Sequence, residues 1–530
     1  MIKFEIKRHF GLFILICFIC INHSLFADIP VNRTDFTITL TDGIVLDCSK
    51  FTPELKTPPG GFPAIIYCHG FGRTKEDEVF AASDEAQYGY YTYIYSMRGQ
   101  GNSGGFSNLI STVEMNDFIQ YIDYIKKEPN VNPNKIGAAG SSQGGIISFM
   151  AACNGAPLAC VVSDLASPEF ATSWIENGCI KMTLIWTLSY DNTIVRYSDE
   201  VSQFRGWALS DNPDDWNRLA DALPRGRDFM DKVQDCKAPM LTSNTWEDKF
   251  FNTLGIINSR EILKAPFRMY FGSMNGHGSA LNPKEEKQHS GFVANWLSYW
   301  LRGQENMVLK ANKYVYAVSV FNNGILDFTH LESPVWEPAG VNETKLFFTK
   351  SGSLAFQNNE SNSSISFLND YKGGMTLLQA VNYAFTGPDF DSHFSKSIVQ
   401  FDSEPLEKET MMAGTPRADI YYSSNANICQ YNFQIWEVMQ DGSAYFVSGI
   451  NYTDRNNTAS QIRNKLMNGN SCGHLFKKGS KIRVIITNLD TRPDEKFLRT
   501  YPFVLPVLTR SENKIEIGQS YPSSIILPLK

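Results

Sequence analysis

Between Phe62 and Ser163, short apolar runs alternate with stretches of helical spacing. Phe62–Cys68, Tyr90–Tyr95, Lys135–Ala139 and Leu158–Ser163 are each long enough for one buried strand. Met115–Lys127 repeats its apolar residues at helical intervals. A leading hairpin precedes them, with Phe36–Leu40 and Ile44–Phe51 joined by the turn Thr41-Asp42-Gly43. Strands alternating with helices predict a parallel sheet covered on both faces. The alternation stops from Pro168 to Cys236, where helical patterning and aromatics (Trp174, Trp186, Tyr190, Tyr197, Trp207) predict a helical insertion, a cap if it lies over the sheet. It resumes with strands Ala238–Ser243 and Phe267–Phe271 and an amphipathic helix His289–Arg302. From Tyr314 to Lys530 the pattern is short alternating strands between Asn, Gly, Ser and Pro turns, which predicts an all-β sandwich or jelly roll.

This pattern divides the chain into a first α/β part (28–167), a cap (168–237), a second α/β part (238–305) and a β domain (306–530). A length of 530 residues calls for such a division, because one core does not grow that large. Residues 1–27 read differently. Lys3, Lys7 and Arg8 precede an apolar run Leu12–Ile21, and Ala27 offers a small residue for cleavage. That is the layout of a secretory signal peptide, so export is expected, to a periplasm or beyond the cell. An uncleaved anchor is the alternative, but the run is shorter than the ~20 residues a spanning helix needs. Cys17 and Cys20 lack the small preceding residue of a lipoprotein signal. Eight cysteines remain after the leader; an oxidising compartment permits disulfides, while Cys68 and Cys153, set among apolar residues, read as buried thiols. A net charge of -7 without a basic run leaves nucleic acid no electrostatic footprint. No cofactor motif and no metal-ligand spacing is read.

The chemistry lies in Gly140-Ser141-Ser142-Gln143-Gly144, a G-x-S-x-G after a strand and before a helix. Such an elbow exposes a serine above the sheet, and its glycines clear room for a tight turn. A nucleophilic serine needs a base, and the base an orienting acid, in the chain order Ser, Asp, His at strand ends. Ser142, Asp248 and His277 satisfy that order; Glu247 and His289 are their rivals. Asp248 as a plain helix cap and His277 as a plain loop residue are the bland alternatives. An oxyanion needs N–H donors, for which the candidates are the backbone of Gln143 and of Phe71, in the loop His69-Gly70-Phe71-Gly72. Arg98 reads as a brace for this region.

These residues together resemble the X-Pro dipeptidyl-peptidase/cocaine esterase family of serine hydrolases, over nearly all of the chain after the leader. The matching pieces include Asp42-Gly43, Arg98-Gly99-Gln100-Gly101-Asn102-Ser103-Gly104-Gly105, the elbow, Trp246-Glu247-Asp248 and His277. In the β domain they are Trp336-Glu337-Pro338, Phe401-Asp402-Ser403-Glu404-Pro405-Leu406 and Leu527-Pro528-Leu529. The resemblance implies an α/β-hydrolase domain with a helical cap, a C-terminal jelly roll, and a Ser142–His277–Asp248 triad acting without a cofactor. Two positions depart from the family pattern. Gln143 stands where a tyrosine is common. Phe71 stands where the family's tyrosine hydroxyl helps hold the oxyanion, so a backbone donor is expected instead. Relatives that take amino-acid esters carry acids after the triad aspartate, whereas here Lys249-Phe250-Phe251 follow. A neutral or acidic acyl group, hence an esterase or acylase acting on a small ester or amide, is the first expectation. An X-Pro dipeptidyl peptidase is the second, since Asp164, Glu169 or Glu176 could receive an amine, and a non-catalytic secreted binding protein is the third.

Overall fold

The computed structural model describes residues 29–210, 212–275, 277, 283–322, 325–375, 379, 393–494 and 499–530. The leader 1–27 lies outside them, as do Gly276 and Gly278 beside His277.

A mixed sheet organises the first part of the chain. Its strands are β1 (Val31–Thr39), β2 (Val45–Pro53), β3 (Phe62–Cys68), β4 (Tyr91–Tyr95), β5 (Val131–Ser141), β6 (Cys160–Asp164), β7 (Met240–Glu247), β8 (Phe267–Asn275), β9 (Tyr314–Asn322) and β10 (Ile325–Ser333). Pairing gives the order β1-β2-β4-β3-β5-β6-β7-β8-β9-β10, with β4 to β9 parallel and antiparallel strands at both edges. The central strands are apolar throughout because both faces are covered. Successive residues serve opposite faces: Ile66, Ala138, Val161 and Met240 join one core, and Ile65, Ala139, Val162 and Leu241 the other. Helices α1 (Val79–Gln87), α2 (Thr112–Ile125) and α3 (Gln143–Cys153) follow early strands.

A helical insertion lies between β6 and β7. It contains α4 (Phe170–Trp174), α5 (Met182–Thr187), α6 (Asp199–Ala208) and α7 (Pro213–Ala222). Helix α8 (Leu254–Ser259) follows β7, and α9 (Pro283–Arg302) follows β8, closing the second core with Trp296, Leu297 and Leu301. Three boundaries differ from the sequence reading. Strand β5 begins at Val131, four residues before the expected start at Lys135, because β3 supplies a partner at Phe62. Helix α9 starts six residues before His289. The first sheet also continues past residue 305, since β9 pairs with β8 and β10 with β9.

Beyond Ser333 the chain is β-rich. One antiparallel sheet contains Asn342–Phe348, Ser363–Tyr371, Arg417–Ser424, Ser511–Ile517 and Ser524–Leu529. A second contains Ile398–Asp402, Cys429–Val438, Ala444–Asp454 and Lys481–Thr487. Phe348 from the first meets Phe401 of the second at 4.6 Å, and Phe367 meets Tyr431 at 5.6 Å, so the two sheets share a core. This region also grips the cap. Leu505 donates its N–H to the Ile180 carbonyl and Met182 to that of Phe503, and Arg455 reaches the Gly178 carbonyl. The eight cysteines from Cys48 to Cys472 are all buried free thiols.

Candidate active site

Ser142 stands between the end of β5 and the first residue of α3, half-buried, with φ 57° and ψ −123°. A non-glycine residue holds such a conformation only where its surroundings over-determine it. Here the determinants are visible. The Ser142 N–H donates to the Asp164 carbonyl at 2.9 Å, and the turn is pressed against β3. A Cβ on Gly144 would lie 1.9 Å from the Cys68 carbonyl oxygen, and one on Gly140 would lie 2.6 Å from the Gly144 carbonyl carbon. Only glycine fits either position, which is the physical content of the G-x-S-x-G spacing.

Asp248 follows β7 and is fully buried; His277 follows β8. The structure brings them together, with Nδ1 of His277 2.9 Å and 3.0 Å from the two carboxylate oxygens. The backbone N–H groups of Phe250 and Phe251 also donate to Asp248 Oδ1, at 2.7 Å and 3.1 Å, which fixes the carboxylate's plane. The geometry selects the His277 tautomer with its proton on Nδ1. Its Nε2 is buried and meets no hydrogen-bond partner among the described residues. Ser142, Asp248 and His277 thus occupy the ends of β5, β7 and β8, all at the carboxyl edge of the parallel sheet. The rivals separate from them: Glu247 ends β7, and His289 pairs with a different carboxylate, Asp164.

The loop 69–72 lies beside the serine, since a Cβ on Gly70 would be 4.0 Å from the Ser142 Cβ. His69 holds the loop from inside. Its Nε2 accepts the Met97 N–H at 2.9 Å, so the ring proton sits on Nδ1, 2.8 Å from the Gly70 carbonyl. Burial pushes its pKa down to about 4. Gln100, from the glycine-rich stretch after β4, bridges the two segments that carry the oxyanion candidates. Its Oε1 accepts the Gly72 N–H at 2.7 Å, and its Nε2 donates to Gln143 Oε1 at 3.1 Å. Sequence reasoning missed this bridge. Arg98 is the expected brace, bidentate to buried Asp117 at 2.7 Å and 2.6 Å and bonded to Asp42.

The walls are aromatic. Phe250 lies 4.6 Å from the His277 ring, Trp186 of α5 lies 5.2 Å from Phe250 and 6.3 Å from Tyr190, and Tyr190 lies 6.1 Å from Phe71. These half-buried rings form an arc from the loop 69–72 to the histidine. The three acids expected as amine receptors are committed elsewhere. Asp164 accepts from Ser243 and His289, Glu176 accepts from Asn252 on both oxygens, and Glu169 is engaged by Asn258. Lys181, buried on the cap segment before α5, has its pKa pulled down by burial against the opposing charges of Glu176 and Asp248. Among the described residues no group of three or more metal-ligating side chains converges, and no helix is long and apolar enough to cross a membrane.

Sheet order and strained elbow are those of an α/β-hydrolase fold. Residues 42–275 match the family model described as X-Pro dipeptidyl-peptidase (S15 family), so the family resemblance read from the sequence is shown over that region. In fold, the chain is similar to a CocE/NonD family hydrolase from Staphylococcus aureus (TM-score 0.73, 13% identity, covering 95% of this chain and 97% of that one). It is also similar to an α-amino acid ester hydrolase (TM-score 0.68, 14% identity, 96% and 98% covered). A third similar structure is an aminopeptidase from a marine sediment Thaumarchaeota archaeon (TM-score 0.69, 13% identity, 96% and 98% covered). By sequence it is 30% identical over 131 residues to an uncharacterised 31.7 kDa protein of the traX-finO intergenic region of Escherichia coli, covering 24% of this chain and 43% of that relative. It is 23% identical over 125 residues to the thiohydrolase AneE of Aspergillus aculeatus, covering 23% and 39%. The chain spans less than half the length of these curated relatives.

Proposed function

We propose that this chain is an exported serine hydrolase that cleaves an ester or amide through an acyl-enzyme on Ser142. The observation that carries the reading is the Asp248–His277 pair, whose buried Nε2 is left for a proton, on the same sheet edge as a strained serine. In this reading His277 Nε2 takes the proton of Ser142 Oγ as the oxygen attacks the acyl carbonyl. Asp248 keeps the imidazole in its tautomer and stabilises the imidazolium that forms. The backbone N–H groups of Gln143 and Phe71 receive the oxyanion, and the Gln100 bridge keeps their segments from drifting apart. His277 returns the proton to the leaving group, then activates water against the acyl-enzyme. The proposed export rests on the leader read in residues 1–27.

The first substrate class is a carboxylic ester or acyl amide without an α-amine. Two features support it: the aromatic arc favours an apolar acyl group, and Asp164, Glu169 and Glu176 already have partners. The description of the matched family favours a second reading, an X-Pro dipeptidyl peptidase. Hydrolysis of p-nitrophenyl butyrate or benzoate set against glycyl-prolyl p-nitroanilide separates them. Ester turnover that vanishes in Ser142→Ala supports the first class. A preference for the anilide that N-acetylation abolishes overturns it in favour of the peptidase, and no turnover of either substrate favours a binding protein.

A further inference from the structure

The described residues hold a second histidine–carboxylate pair at the same edge of the sheet. His289 on α9 places its Nε2 3.1 Å from Oδ1 of Asp164, the last residue of β6. The same oxygen accepts the Ser243 hydroxyl from β7 at 2.6 Å. The main chain of Asp164 does something else: its carbonyl accepts the Ser142 N–H. One residue is therefore held by His289 through its side chain while holding the serine through its backbone. A turn earlier on α9, buried Glu285 accepts the Tyr270 hydroxyl of β8 at 3.0 Å and faces His330 of β10 at 3.4 Å. Tyr270 Oη and His330 Nε2 are 2.8 Å apart, and the Tyr270 ring lies 5.1 Å from that of His289. The helix that follows His277 is thus fastened to β6 by one polar cluster and to β8 and β10 by another.

We propose that His289 is a positioning residue: through Asp164 it fixes the elbow carrying Ser142 relative to the helix that follows His277. The proposal rests on the reading of Ser142 as nucleophile. Its physical basis is that attack geometry tolerates little displacement, and a misplacement of about 1 Å can cost ~100-fold in rate. A carboxylate held by both a hydroxyl and a cation is set more tightly than one held by the hydroxyl alone.

The groups facing His289 are Asp164 from β6, Glu285 on its own helix and Tyr270 from β8, with His330 of β10 reached through Tyr270. Burial opposes charging of the imidazole, but the negative charges of Asp164 and Glu285 win, and its pKa is raised. The protonated clamp is therefore complete below the ordinary imidazole range and loosens as pH rises through the raised pKa.

The test is kcat and KM against pH for the full chain, His289→Ala and His289→Gln, with melting temperatures measured alongside. Glutamine keeps an N–H donor for Asp164 but does not titrate. In His289→Ala, kcat is expected to fall about tenfold with KM within about twofold, since positioning acts on the transition state. His289→Gln, a neutral donor, is expected to hold kcat between that of His289→Ala and the low-pH level of the wild type at every pH, and so to lose the alkaline fall of the wild-type profile. Wild-type kcat in His289→Ala, or an unchanged alkaline limb in His289→Gln, overturns the proposal. Turnover that survives Ser142→Ala overturns the nucleophile reading instead, so the two failures are distinguishable.

Discussion

His69 holds the loop beside Ser142 by accepting one hydrogen bond and donating another, and doing both at once requires a neutral ring. Protonation at Nε2 would set a donor against the Met97 N–H. Its folded pKa, about 4, lies below the ordinary 6.5, so the neutral ring's contribution to stability is fully present above pH 6.5. It is drawn down as pH falls through that window and is gone below the folded pKa. At 1.36 kcal/mol per pH unit, that is roughly 3 kcal/mol. Urea denaturation between pH 7 and pH 4 is expected to show that loss, and His69→Gln to flatten it; an equal slope in the variant would refute this account. At this scale the sequence is uneven. Gly140 and Gly144 announce the elbow because only they fit against Cys68. Gln100 and Gln143, 43 residues apart, announce nothing, since their meeting depends on how the loops after β4 and β5 fold together.

Helix α5 and the segment after β7 together build the wall of the site. Aromatic residues in the insertion and Phe250-Phe251 after Asp248 were visible in the sequence. Their convergence was not, because the cap's path over the sheet is a matter of tertiary packing. The structure places Trp186 between Phe250 and Tyr190, and the hydroxyl of Thr183, also on α5, donates to the Lys249 carbonyl. Loss of this ring removes apolar contact worth about 1–2 kcal/mol. Trp186→Ala is accordingly expected to raise KM for p-nitrophenyl benzoate about tenfold. The acetate ester is expected to change much less, since its acyl group has no ring to lose contact with Trp186. Equal changes for both esters would show that Trp186 supports the cap rather than contacting the acyl group. The rival histidine also belongs to this scale. The helical spacing starts at His289, but α9 begins at Pro283 and carries His289 on its second turn, directed to Asp164 instead of Asp248.

The whole molecule joins a covered parallel sheet, a helical insertion and a β sandwich around one edge of that sheet. The alternation of strand and helix made the first two legible, and the switch to short strands after residue 305 made the third. The boundary itself was not legible, because β9 and β10 carry the alternating pattern of the β-rich region yet pair with the parallel sheet. Nor was the grip of the sandwich on the cap at Ile180 and Met182, which anchors the segment leading into α5. All of these contacts converge on one claim, that the fold arms Ser142. The direct measurement is covalent labelling of the folded chain with a fluorophosphonate, read by intact mass and peptide mapping. One adduct per chain is expected, on Ser142, absent in Ser142→Ala and formed far more slowly in His277→Ala. No adduct, or one that persists in Ser142→Ala, would contradict the account.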